Sequence, residues 1–237
     1  PYVIKAENLR LYKDVLSDYL ENALSTGVTK NGLERALLNI NDLPGISAVS
    51  TIEPGVEEGS SKIILNVVED DLVSGNITLD NHGNRYTAKQ RSSVKIDINN
   101  PSKIGDKLSI TKTFNTGEKF DFSQFDYEVP LGQSGLKAFA SASRLEFEIG
   151  KELKTNPVSL GNADTYEVGI KYPIQRTNNQ SVFLKTSIEK KEIYNETTGV
   201  LTNDKTLENA KIGLDFEGKN IFQDSSLTGV SVSGIFG

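Results

Sequence analysis

The 237-residue chain has no cysteine, methionine or tryptophan, a single histidine and a net charge of −6. The missing cysteines remove disulfides, thiolate zinc sites and thiol catalysis together, and a pI near 5.0 without a clustered excess of Lys and Arg argues against a nucleic-acid partner. With 36% hydrophobic residues and a mean hydropathy of −0.36, no apolar run is long enough for a membrane helix. A membrane barrel stays open, because strands that alternate lipid-facing with lumen-facing residues average to the hydropathy of a soluble protein.

The first 70 residues carry helical and strand signals in turn. Leu11, Val15, Leu16, Tyr19, Leu20, Ala23 and Leu24 recur at helical spacing and predict one amphipathic helix. Leu33, Ala36, Leu37 and Ile40 predict a second, with Thr29 or Asn31 as its cap and Asp42-Leu43-Pro44-Gly45 as its stop. Strands are expected at 2–7, 46–53 and 62–68, the last two joined by the turn-rich segment 54–59. The order β-α-α-β-β suits an α+β domain over residues 1–70, with two helices on one face of a small mixed sheet.

After Glu69-Asp70-Asp71 the period becomes two. Nine strands are expected, at 73–80, 85–98, 107–114, 120–130, 136–149, 166–173, 182–193, 207–217 and 227–236. Val94, Ile96 and Ile98 alternate with Lys95 and Asp97, and Tyr127 and Val129 with Asp126 and Glu128. Many of these strands exceed the usual five or six residues and suit a tilted span of a bilayer. The connections at 99–102, 131–135 and 175–180 read as short, those at 150–164 and 195–206 as long and polar. Tyr86, Phe114, Phe120, Tyr172, Tyr194 and Phe222 stand near strand ends, where interfacial aromatics are expected.

The stretch LDNHGNRYTAKQR, residues 79–91, concentrates His82 with Asp80, Asn81 and Arg85. One histidine without a His or Cys partner builds none of the usual zinc sites, and no Ser-His-Asp triad can be assembled. Asp80-Asn81 and Gly83-Asn84 supply turn chemistry instead, with Arg85-Tyr86-Thr87 beginning the return strand. Arg85 is either a lumen charge or a hairpin-end anchor. Glu69, Asp70 and Asp71 read as a solvated linker rather than a calcium loop, and the Gly-rich pieces match no phosphate-binding loop. No metal, cofactor or catalytic residue is assigned.

Two motifs in order carry a resemblance. LERALLNINDLPGISAVSTIEPGVEEGSSKIILNVVED, residues 33–70, is similar to the end of the second POTRA domain of the two-partner secretion transporters (TpsB), the haemolysin and filamentous-adhesin secretion and activation proteins of Gram-negative bacteria. SGNITLDNHGNRYTAKQRSSVKIDINNPSKIGDKLSI, residues 74–110, resembles that family's entry into its outer-membrane barrel. Ala88 stands where the family commonly has Gly. The resemblance implies a POTRA domain at 1–70 in the periplasm, and at 71–237 the N-terminal part of an antiparallel transmembrane β-barrel. It also implies that this chain is a segment of a longer protein, as a start at Pro1 without a leader suggests.

The activity implied is non-enzymatic. A periplasmic domain receives an unfolded exoprotein of haemolysin, adhesin or contact-inhibition type, and the barrel conducts it outward without nucleotide. The edge strand Ile46, Ala48, Val49, Ser50 and Ile52 is expected to bind the client by β-augmentation. Leu33, Leu37 and Ile40 either wall a groove beside it or fill the core. Strand faces put Lys95, Asp97, Asp126, Glu128, Lys185 and Lys211 in the lumen, and Val94, Ile96, Tyr127, Val129, Leu184 and Leu214 against outer-membrane lipid. Two rivals stand: a barrel-assembly factor of the same superfamily, and a soluble all-β binding or adhesive module behind a small α+β domain.

Overall fold

The computed structural model describes residues 2–6, 9–25, 29–57, 60–115, 117, 119–219 and 226–237. Phe222 and the turn residues 58 and 59 lie outside them. The N-terminal domain runs β1 (Tyr2–Ala6), α1 (Lys13–Leu24), α2 (Lys30–Asn41), β2 (Ile46–Pro54) and β3 (Ser61–Glu69), in the order expected. Its sheet is mixed: β3 is central, parallel to β1 and antiparallel to β2. Thr29 caps α2, its side-chain oxygen accepting from the Gly32 N–H at 3.1 Å. Leu16, Leu20, Ile40, Leu43, Ile63 and Leu65 are fully enclosed between helices and sheet, each contributing about 1.5–3 kcal/mol by leaving water.

The second sheet is a nine-stranded antiparallel meander. It comprises β4 (Val73–Asp80), β5 (Arg91–Asn99), β6 (Lys107–Phe114), β7 (Phe120–Pro130), β8 (Lys137–Glu148), β9 (Leu160–Arg176), β10 (Gln180–Thr197), β11 (Val200–Lys219) and β12 (Leu227–Phe236). All nine expected strands form, but three expected boundaries give way. Residues 81–90 make a compact loop rather than a strand start: Gly83 N–H bonds Lys89 C=O at 3.1 Å, Ala88 N–H bonds Asn84 C=O at 2.9 Å, and Ala88 is buried. The expected long connection 195–206 is strand. It closes in a two-residue turn at Thr198 (φ 52°) and Gly199 (φ 77°), the primed geometry that matches hairpin twist. The expected connection 150–164 shortens to residues 149–159 before β9 begins at Leu160. These extensions are mostly polar, with Leu160, Ala163, Tyr194, Val200 and Leu201 too few to set up a sustained hydrophobic alternation.

Burial separates the two sheets. The buried apolar residues other than Ala88 and Pro173 lie between Leu11 and Val67, whereas the buried polar groups of the larger sheet and its turns are Asn100, Asp106, Ser109, Ser159, Ser181 and Ser187. Its apolar residues are exposed: Ile77 at 74%, Val168 at 50%, Ile188 at 64% and Val232 at 69%. A soluble sandwich would cover that face with a second layer. Among the described residues none does.

Three turns at one end of the sheet seat it on the first domain. Gly105 (φ +87°) in the β5–β6 turn lies against Leu43, where an added Cβ would come within 2.8 Å of Cδ2. Glu69, expected to be solvated, is buried at its centre: it pairs with Arg10 at 3.0 Å and accepts from the Arg10 and Leu11 N–H groups and from Asn100 Nδ2 at 3.0 Å. A buried carboxylate needs that many donors. Gly105→Ala is expected to destabilise the protein by about 1–2 kcal/mol from backbone strain alone, and by more from the Leu43 contact. Gly132→Ala, at φ +71° with no neighbour within 4 Å, carries only the strain. Thermal unfolding of both in detergent checks the difference.

Candidate functional site

Cross-strand register assembles one polar face. Asp97 stands opposite Ser109, Ser109 opposite Asp126, and the row continues through Ser141, Glu167 and Glu189 to Asn209 on β11. Residues directly opposite in an antiparallel pair share a face, so seven strands line one polar level. Lys95 lies one level towards the far end, and Glu128 and Lys211 one level towards the N-terminal domain. Lys185 is a further level down. All six expected lumen residues therefore share one face.

These groups neutralise one another across strands. Asp97 takes Lys95 at 3.3 Å and Lys107 at 3.5 Å, and Ser109 donates to it. Asp126 accepts from Ser141 at 2.7 Å and Gln124 at 2.8 Å. Glu128 holds Lys137 at 2.8 Å, Lys211 pairs with Glu189 and reaches Glu167 at 3.7 Å, and Ser187 donates to Glu167 at 2.7 Å. Lys185 lies 4.4 Å over the Phe139 ring and 3.7 Å from Glu167.

The opposite face carries the residues expected against lipid. Ile98, Leu108, Tyr127, Ala140, Val168, Ile188 and Ala210 form one row, and Leu184 and Leu214 are directly paired below it. Val94, Ile96 and Val129 follow by parity. Tyr127 turns its hydroxyl onto buried Asp106 at 2.8 Å, the amphipathic posture of an interfacial tyrosine. Beyond the apolar rows, on the side away from the N-terminal domain, the same face turns charged: Lys112 pairs with Asp121, Arg144 with Glu146 at 2.7 Å and Lys190 with Glu192 at 2.7 Å. There the lipid-facing pattern ends.

The expected client edge divides. Strand β2 is an outer strand of its sheet. Leu33, Ile40, Ile46 and Ala48 are buried in the domain's own core and Leu37 packs on it, so no groove wall is left from them. Asn41 occupies the edge at Ala48, donating to its C=O at 2.9 Å and accepting from its N–H at 2.7 Å. Backbone groups alternate between partner and edge, which leaves Ser50 and Ile52 with outward-facing groups. Val49 and Ile52 are exposed at 66% and 57%. His82 is an exposed turn residue whose N–H bonds Asp80 at 3.0 Å, and Arg85 pairs with Glu152 of the 150–159 loop, as a hairpin-end anchor.

Sequence reasoning missed the mouth between the domains. Arg176, at the end of β9, clasps Asp42 after α2 through two bonds of 2.7 and 2.8 Å, and Lys137 donates to the Asp42 C=O at 2.9 Å. Asn178 N–H bonds Glu34 at 2.9 Å. Parity along β8 and β9 places Lys137 and Lys171 on the same polar face, but the Asp42 contact spans 134 residues and no local signal announces it. Burial pushes the Tyr19 hydroxyl up to about 12, helped by nearby Asp42, so it stays protonated beside this junction.

The model of the family described as haemolysin secretion/activation protein ShlB/FhaC/HecB matches residues 59–231. The chain belongs to that family. Among curated relatives, the heme/hemopexin transporter protein HuxB of Haemophilus influenzae Rd is 25% identical over 94% of this chain and 39% of its own length. The chain thus spans about two fifths of that relative. Among solved structures, CdiB from Escherichia coli superposes with a TM-score of 0.76 at 20% identity, over 92% of this chain and 42% of that one. CdiB from Acinetobacter baumannii gives 0.77 at 16%, over 99% and 44%. BamA from Haemophilus ducreyi gives 0.55 at 10%, over 99% and 48%. The fold is a POTRA domain followed by part of an outer-membrane barrel, with the POTRA domain on the periplasmic side. The three turns that meet it are therefore periplasmic.

The face assignment has a direct check. Ile96→Arg, outward on β5, is expected to cost roughly 2–4 kcal/mol of membrane folding free energy near midplane, whereas Lys95→Arg is mild. Detergent-to-vesicle folding titrations of both variants measure the difference.

Proposed function

We propose that this chain forms the client-receiving POTRA domain and the adjoining pore wall of a two-partner secretion transporter. The POTRA domain takes an unfolded exoprotein of haemolysin or adhesin type as an extended strand. The client then passes along the charged face of the barrel to the cell exterior. One observation carries the reading: a continuous polar wall, hydrogen-bonded across seven strands, begins directly beneath the domain whose free edge can accept a strand. No step calls for a nucleophile or a nucleotide, and folding of the client outside supplies direction.

Asn41 narrows the docking edge. With Ala48 already satisfied and Pro54 lacking an N–H, an incoming strand finds its backbone partners at Ser50 and Ile52. Exposed Val49 and Ile52 offer it apolar contact on both faces of β2. The weakness of so short an edge, a few hydrogen bonds of about 0.5–1.5 kcal/mol each, suits a client that must be handed on.

Ser50→Pro removes an outward donor while leaving the β2–β3 ladder paired. Val49→Pro removes a ladder donor to β3 and disrupts the domain. In the full-length protein, Ser50→Pro is expected to fold normally, by thermal melt, and to bind an unfolded exoprotein of this type roughly threefold to tenfold more weakly. Unchanged affinity in the folded Ser50→Pro protein overturns the edge as docking strand.

A further inference from the structure

Three lysines stand side by side at the periplasmic end of the lumen face. Lys137 on β8 is directly opposite Lys171 on β9, which is directly opposite Lys185 on β10. Like charges placed so repel one another, and the three are compensated unequally. Lys137 has Glu128 at 2.8 Å and the Asp42 C=O at 2.9 Å. Lys185 has Phe139 at 4.4 Å and, less closely, Glu167 at 3.7 Å. Lys171 has only the ring of Phe183, 4.2 Å away, and no carboxylate among the described residues.

Lys171 also faces a cavity. A space of about 250 Å³ lies between the POTRA domain and the pore wall, lined by the carboxylates of Asp42, Glu128 and Glu217 and by Lys137, Lys171, Arg176 and Phe183, among others. Its chemistry is already displayed within the protein. The Asp42 carboxylate enters from the POTRA side and is clasped by Arg176, and Glu128 occupies Lys137. Two of the cavity's cations thus hold carboxylates and the third does not.

We infer that Lys171, backed by Lys185 and by the Phe183 and Phe139 rings, is a carboxylate-binding station at the pore mouth that takes acidic side chains of an extended polypeptide. The inference rests on the transporter reading for its physiological ligand, but the site itself does not. The rings matter in two ways. They hold each ammonium by its attraction to the π-face, and they give apolar surface to the stem of a Glu or Asp side chain. A single ammonium in a wet lumen holds a carboxylate only weakly. Passage requires that weakness, because a site along a conduction path must release what it captures.

The test uses full-length protein in detergent and a fluorescent ten-residue oligoglutamate, read by anisotropy at low and high salt. Binding is expected to weaken at least threefold in Lys171→Gln and to be retained in Lys171→Arg. It should be unchanged in Lys119→Gln at the opposite end of the sheet, and to fall with salt in the parent. Thermal melts show whether Lys171→Gln is folded. Should its fold fail, masking of Lys171 from amine acetylation by the peptide, read by mass spectrometry on parent protein, replaces the affinity comparison. Equal affinity in folded Lys171→Gln, equal binding of an oligolysine, or unmasked Lys171 overturns the station. Exoprotein secretion by the parent is scored separately. A parent that secretes nothing but binds oligoglutamate through Lys171 sinks the transporter reading and keeps the site; the converse sinks the site alone.

Discussion

Side chains alternate across a strand, so the register that aligns Asp97, Ser109, Asp126, Ser141, Glu167 and Glu189 on one face must align Ile98, Leu108, Tyr127, Ala140, Val168 and Ile188 on the other. Slipping a strand by one residue would exchange its polar-row side chain for its apolar-row one, Asp97 for Ile98 on β5 or Glu189 for Ile188 on β10. The charged wall and the apolar belt are therefore one feature seen from two sides. The sheet has no layered apolar core among the described residues, and backbone pairing is what holds its strands together. Apart from Pro173 and Ala88, its buried side chains are hydroxyls, an amide and a carboxylate, each needing a hydrogen-bond partner more than a packing partner.

The first domain is built on the opposite plan, with a dry core of leucines and isoleucines. The two plans meet at polar groups. Glu69 binds the chain entering α1 and also Asn100 of the β5–β6 turn, while Asp42 binds Arg176 and Lys137 of the pore wall. Removing one partner from such a contact leaves a charge with reduced solvation, a larger penalty than the contact is worth when intact. The POTRA domain is thus held in one orientation over the mouth. That orientation places the β2 edge and the Lys171 cavity on the same side of the membrane.

Period and turn chemistry made the element order legible: the helix stripe from Leu11 to Leu24, the stop at Pro44-Gly45 and the alternation from Val73 onward are local patterns. Parity alone then sorted Lys95 and Ile96 onto opposite faces. Three things were not local. The outer parts of β9, β10 and β11 carry mostly polar residues, so pairing continues where hydrophobic alternation ends. Glu69 resembles its neighbours Asp70 and Asp71 in sequence and differs from them only by what folds over it. Leu33 and Ile40 have the same helical spacing whether they fill a core or line a groove, and only the packed helices decide for the core.

Strand edges show how differently the two solvents act. In water, β2 is blunted by the Asn41 amide at Ala48 and by Pro54, leaving two residues open, a common defence against unwanted pairing. The outer edges of the nine-stranded sheet, β4 and β12, carry no proline and no charge apart from Asp80 at the end of β4, and Ile77, Leu79, Val232 and Ile235 stand exposed along them. Hydrocarbon offers an unpaired N–H or C=O no partner at all, so blunting would be no remedy there. Those two edges require strands beside them, which agrees with a chain that spans 39% of a relative such as HuxB. An open edge of the β2 kind persists only where water can satisfy it, and the fold keeps β2 on the periplasmic side.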